Sequence, residues 1–206
     1  MQIGTLAAIR RYPVKSLRGE VLQSVEVEAF GIGGDRERAF FSLEGARAGK
    51  AYRGKENDRL HLASDAGDAA VLAQERGHAV ELRKGDHFFD DAPISIVVDV
   101  WMNALNEHLG YAVEWERFRP NFFVRAIGSI ESEETFQGVD LRLGRVRLRV
   151  RSPIERCVAV TYHPVGEPSD PRILRYLAQE RNALLGIYCD VVETGTATVG
   201  DSLLKE

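Results

Sequence analysis

Four short clusters hold residue types that can do chemistry together. In the first, Tyr12-Pro13-Val14-Lys15-Ser16-Leu17-Arg18-Gly19, a proline ends an apolar stretch and Lys15, Ser16 and Arg18 follow in a turn. A cation, a hydroxyl and turn N–H groups suit an anion such as phosphate; a solvated basic turn has the same composition. The second is Gly31-Ile32-Gly33-Gly34-Asp35-Arg36. Its glycines superficially match a nucleotide loop, but Ala39-Phe40-Phe41-Ser42-Leu43 follows as a strand pattern where that motif needs a helix. They predict a tight inter-strand turn, with Arg36 either held by Asp35 or facing a ligand. The third, Arg117-Phe118-Arg119-Pro120-Asn121, sets two guanidinium forks beside a rigid turn. That is a clamp for phosphate or carboxylate, or two same-face arginines of a strand meeting acids. The fourth, Ser152-Pro153-Ile154-Glu155-Arg156-Cys157, places a thiol directly after a charged pair. Nearby positive charge favours the thiolate, the form that ligates metals. The other cysteine, Cys189, sits in an apolar stretch and reads as structural.

Other chemistries find no support. Two cysteines are too few for a disulfide framework, a four-thiolate zinc site or an internal iron–sulfur cluster. None of the five histidines forms a metal-binding spacing with another, and there is no Gly-x-Ser-x-Gly elbow or phosphate-binding Walker loop. Lys+Arg number 27 against 31 Asp+Glu in 206 residues, a net charge of -4. That balance argues against nucleic acid as a partner, because neutralising a phosphate backbone needs excess positive charge. The longest apolar run, 94–102, is interrupted by Ser95 and Asp99, so no membrane helix is expected. Without a basic segment leading into an apolar one, the N-terminus reads as a cytoplasmic start.

The elements that must position these clusters are mostly strands. Leu141-Arg142-Leu143 and Arg145 to Arg151 alternate strictly, with Val146, Leu148 and Val150 on one face, arginines on the other, and Gly144 at a hairpin turn. The segment from Val21 to Glu28 ends in the same alternation, and further strands are expected at 3–12, 39–43, 60–63, 80–83, 112–116, 121–127, 157–162 and 186–192. Two helices are expected. One spans 99–109, stopped by Gly110; the other starts at Ser169-Asp170-Pro171, a cap followed by proline in the first turn, with Ile173, Leu174 and Leu177 at helical spacing and Leu184 beyond them. The 45–57 stretch, rich in Gly and Lys, reads as a long loop. Many short strands and few helices imply a mainly β, barrel-like fold. A composition change near 109–111 suggests a division into residues 1–110 and 111–206.

Taken in order, Tyr12 to Ser16, Gly34-Asp35-Arg36, Arg117 to Asn121 and Arg156-Cys157 resemble the MOSC family, relatives of the C-terminal domain of molybdenum-cofactor sulfurase. The likeness is to the subgroup with an N-terminal β domain, which includes the amidoxime-reducing component and its bacterial counterparts; Asp91 to Ser95, Tyr188 to Val192 and Gly200-Asp201 agree with it. The resemblance implies a β-barrel MOSC domain packed with a smaller N-terminal β domain, the two bounding a cleft for the molybdenum cofactor. It makes Cys157 the metal ligand and Lys15, Ser16, Arg36, Arg119, Asn121 and Arg156 candidates for the pterin and its phosphate. The activity implied is reduction of N-hydroxylated small molecules with electrons from an external ferredoxin- or flavoprotein-like partner. The alternatives are a cofactor or sulfur carrier that takes sulfur from a donor as a Cys157 persulfide, and a non-catalytic protein binding some other anion. Family members often carry Thr-Ala-Arg where this chain has Ala51-Tyr52-Arg53, which leaves no role assigned to Arg53.

Overall fold

The computed structural model describes all 206 residues. In chain order the elements are β1 (Gln2–Arg11), β2 (Glu20–Leu22), β3 (Ser24–Glu28), β4 (Gly31–Ile32), β5 (Arg38–Ser42), α1 (Ala66–Glu75), β6 (Val80–Lys84), β7 (Ile94–Val98), α2 (Asn103–Leu109), β8 (Phe122–Ala126), β9 (Asp140–Leu143), β10 (Val146–Glu155), α3 (Pro171–Glu180), β11 (Leu184–Glu193), β12 (Gly195–Thr198) and β13 (Ser202–Lys205).

Strands β1, β8, β7, β11, β10, β9 and β13 pair in that order, and β13 pairs back with β1, closing a seven-strand barrel. Only β7 and β8 run parallel; the connection between them carries α2. The alternation seen in the sequence sets the register. Leu141, Leu143, Val146, Leu148 and Val150 point inward and are buried, while Arg149 and Arg151 are exposed. Each fully buried aliphatic side chain contributes roughly 1.5–3 kcal/mol. Gly144 adopts φ +57°, and a Cβ there would lie 2.3 Å from the Asp201 carboxylate, so the β9–β10 hairpin needs glycine at that point.

All five residues of β7 are buried, because its second face is covered by α2 and α3. This explains the apolar run at 94–102: strand as far as Val98, then a helical turn. Asp99 accepts hydrogen bonds from Val100 N (2.8 Å) and Ala126 N (2.9 Å) at that junction. The expected helices form: Gly110 closes α2 in a left-handed conformation, and Asp170 caps α3, accepting from Arg172 N. No helix is long and apolar enough to cross a membrane.

A third apolar cluster, including Phe40, Tyr52, Leu60, Ala69 and Ala73, joins the antiparallel β5–β6 pair to α1, which lies on the connection between them. The barrel draws its strands from distant parts of the chain: β1 and β7 pair with β8, β11 and β13, all of which follow residue 110. Pairing between strands far apart in sequence leaves no local mark from which this could be read.

Three expected strands are short 3-10 turns, at Leu60–Leu62, Trp115–Phe118 and Val158–Thr161. Their apolar residues anchor turns onto the clusters instead of pairing in ladders. Helix α1 was not expected; its buried face is only Ala69 and Ala73, too small to give a strong periodic signal. Strands β4, β7, β12 and β13 are likewise not marked in the sequence reading.

Candidate functional site

A cavity of about 330 Å³ opens beside the barrel, within the size range of small-molecule sites. Lys15 and Ser16, just past β1, contribute to it, as do Arg36 in the turn after β4, Arg119 ahead of β8, and Arg156 and Cys157 just past β10. Thus six residues far apart in the chain, all singled out in the sequence, line one space.

The backbone of this region is unusual. Five non-glycine residues have positive φ, and three of them are Ser16 (70°), Arg36 (51°) and Arg119 (51°). Such conformations cost of order 1–3 kcal/mol each and cluster at functional sites. Local bonds hold them: Arg36 N donates to Tyr12 O (2.7 Å) and Arg119 N to Glu116 O (3.1 Å). The Glycine-rich stretch is therefore a turn between strands, with its arginine aimed at the cavity.

Behind the wall lies a buried polar hub. The Asp35 carboxylate, fully buried, accepts from Tyr12 N (2.6 Å), from Asn121 Nδ2 (3.1 Å) and from the Arg36 guanidinium. So Arg36 is held by Asp35 and faces the cavity at once. Asn121, expected to contact the cofactor, is buried and does not line the cavity. Its amide is fully engaged: Oδ1 accepts from Ser95 N (3.1 Å) and Oγ (2.9 Å), and Nδ2 also donates to Arg10 O (3.3 Å). It braces the wall from the rear. Ser95, which it holds, reaches the cavity.

Seven lysines and arginines line the cavity against two carboxylates, Asp90 and Glu155, in a protein whose net charge is negative. Some of the cations are paired: Lys15 with Asp90 (2.5 Å), Arg53 with Glu56 (2.9 Å), Arg117 with Glu114 (2.7 Å). The two arginines of the third cluster separate. Arg117 turns into the protein, 5% exposed, and donates to Thr161 O (2.9 Å). Arg119 lies over the Tyr12 ring (4.3 Å), as Arg36 does (4.6 Å), and donates to Leu17 O (2.7 Å). Neither the strand face nor the two-arginine clamp describes them.

Arg119 and Arg156 have no carboxylate partner. Arg156 donates Nε to Leu185 O (2.6 Å) and Nη1 to Phe118 O (2.9 Å), while its buried Nη2 has no partner. Burial pushes both guanidinium groups down to about 10. Gly186, at φ +90°, is needed beside Arg156, because a Cβ there would lie 2.9 Å from Nη2 and 2.8 Å from Ile96 O.

Cys157 is exposed and lines the cavity as the residue preceding the 158–161 turn. Cys189 is buried in the barrel core, and burial pushes its thiol up, away from reactivity.

The sequence reading missed other residues of the cavity. Arg53 and His61 enter from the segment that carries Tyr52 and Leu60 into the apolar cluster with Phe40 and α1, while Asp90, Tyr162 and Tyr188 complete the wall. His61 Nε2 donates to His163 O (2.8 Å), its ring stacks on Tyr162 (5.7 Å), and burial lowers its pKa. A lone histidine in a stretch that reads as a strand gave no local signal for this; only the Asp91 to Ser95 and Tyr188 to Val192 matches pointed near the right segments.

No curated protein matches this sequence. Among solved structures, the YuaD protein of Bacillus subtilis is similar over 98% of this chain and 94% of its own, at 17% identity and a TM-score of 0.59, which shows a shared fold. YiiM from Escherichia coli aligns over 95% of this chain and 69% of its own, at 14% identity and a TM-score of 0.46, too loose for argument. The family model of the MOSC domain matches residues 83–204, from the end of β6 through nearly all of β13, so this chain belongs to the MOSC domain family.

Proposed function

We propose that the cavity binds the molybdenum cofactor and that the loaded protein reduces N-hydroxylated small molecules with electrons from a separate redox protein. MOSC domains are generally associated with molybdenum-cofactor binding. The observation that carries the reading for this chain is the pair of partly buried, desolvated guanidinium groups, Arg119 and Arg156, facing one cavity and bonded only to backbone carbonyls. A buried charge without a partner is costly, and an anionic ligand supplies the missing partner.

The residues present fit such a group. Arg36, Arg119 and Lys15 offer charge-assisted donors to a phosphate, and the Ser16 hydroxyl stands on the same turn as Lys15. Arg156 holds an unused donor beside the thiol. Cys157 is the one thiol at the cavity, and a thiolate is a ligand that molybdenum accepts beside a dithiolene. When bound, the cofactor supplies the two-electron chemistry and the metal. The chain's own part is to fix the anionic scaffold, to complete the metal's soft ligands through Cys157, and to keep a positive field where negative charge develops on the substrate. Lys55, which lines the cavity and makes no ion pair, adds to that field.

The test is elemental analysis of protein purified from a host that makes the cofactor, with extraction of the pterin. The expected result is about one molybdenum per chain, lost in Cys157→Ser. Metal-free protein from such a host, with its fold intact, overturns the reading. The exposure of Cys157 favours one second reading, a sulfur carrier, because a sulfur donor can reach the thiol. Its sign is one added sulfur on Cys157 in the intact mass after incubation with a cysteine desulfurase, removable by reductant.

A further inference from the structure

Asp90 is the one acid of the cavity wall that is bonded to a cation expected to meet the ligand. Its Oδ1 lies 2.5 Å from Lys15 Nζ, which also donates to Phe88 O (2.9 Å). The two partners differ in exposure: the Lys15 side chain is 15% exposed and that of Asp90 74%. Lys15 is thus anchored in the wall, while Asp90 approaches it from the solvent side, on the connection between β6 and β7. Partial desolvation pulls the Asp90 pKa up, but Lys15, and beyond it Arg36 and Arg119, pull it below the ordinary Asp value. The carboxylate is therefore charged at neutral pH, and its field reaches Arg156 and Tyr188 as well. Glu155, the other acid of the wall, makes no ion pair with any of these cations.

Resting on the reading of the cavity as an anion site, we propose that Asp90 is a resident counter-ion that sets the affinity and selectivity of the site, holding Lys15 until a ligand of higher negative charge displaces it. A monoanionic carboxylate brings no more charge than Asp90 already supplies and gains little by replacing it. A phosphate group brings more charge and further acceptor oxygens for Arg36 and Arg119. Asp90 would then bar small carboxylates from the cation cluster and admit phosphate esters.

Titrations of the ligand-free full chain with inorganic phosphate and with acetate test this, using wild type, Asp90→Asn and Lys15→Met. Asp90 is exposed, so Asp90→Asn should fold like wild type, and its Tm checks this. Removing one unit charge a few ångströms from the ligand in a half-solvated site should tighten phosphate binding about tenfold. Acetate binding should become measurable in Asp90→Asn alone, and Lys15→Met should bind phosphate more weakly than wild type. Phosphate affinity in Asp90→Asn equal to or below that of wild type overturns the proposal and makes Asp90 a support for the ligand instead. The molybdenum content of wild-type protein tests the underlying reading separately: metal present with unchanged phosphate affinity sinks the counter-ion role alone.

Discussion

On the outer face of β9, β10 and β11, Arg142, Arg147, Arg149 and Arg151 each stand against a carboxylate. Arg142 pairs with Glu206 at 2.6 Å, Arg147 with Glu193 at 2.7 Å, Arg149 with Asp140 and Arg151 with Asp190. In the cavity wall, Arg119 and Arg156 bond only to backbone carbonyls. The outer set is solvated and internally neutralised, so each pair adds little and salt screens it. The inner set is desolvated and short of negative charge, a poor arrangement for stability and a good one for holding an anion. Arginine content alone therefore says nothing about function; burial and the absence of a carboxylate partner do.

The largest effect that could break this contrast is expected at the hub. Asp35→Ala leaves Arg36, its side chain 15% exposed, without its carboxylate and takes the buried acceptor from Asn121 Nδ2 and the Tyr12 N–H, and should cost about 3–5 kcal/mol in denaturant unfolding. A loss under about 1 kcal/mol would show that the hub does not hold the wall. Next come Arg119→Gln and Arg156→Gln. Each removes a charged donor and should weaken retention of the cofactor, or of phosphate, by about 10- to 100-fold. Without ligand, the same variants should melt no lower than wild type by more than a few degrees, because the guanidinium each removes is uncompensated. If they unfold instead, these arginines serve the fold and the contrast fails.

The smallest effects belong to the outer face. Arg149→Ala should be indistinguishable from wild type in phosphate affinity and nearly so in Tm at moderate salt. The hydrogen bond from Arg149 holds the Asp140 carboxyl below its usual range. Its folded pKa is thus lower than its unfolded one. The stability it adds is present above the unfolded value, near pH 4, and is lost as pH falls through the folded value. Asp140→Asn should flatten that part of the acid-unfolding curve, read by circular dichroism, while leaving phosphate titrations near neutral pH unmoved.

Local physics was legible without coordinates. Strict alternation marks β9 and β10 because one barrel face is apolar and the other wet. Asp170-Pro171 marks the start of α3 because a cap and a fixed φ act within one turn, and the strand after Gly34 excludes a nucleotide loop by the same local logic. The residue types of the four clusters were compatible with anion and thiolate chemistry, and their order along the chain carried the resemblance to the MOSC family. What lay beyond reach was anything set by distance. The stretches 60–63, 112–116 and 157–162 read as strands, since a buried turn and a buried strand carry the same hydrophobicity. Asn121 reads as a ligand contact in the sequence and lies buried behind the cavity wall in the structure, because only packing decides whether an amide faces a space or lies behind it. Likewise, only the closure of β1 onto β8 and β13 brings Lys15 and Arg36 to Arg119, Arg156 and Cys157. Chain connectivity constrains neighbours within a few residues; convergence across more than a hundred is fixed by long-range strand pairing and core burial, which no short stretch of sequence records.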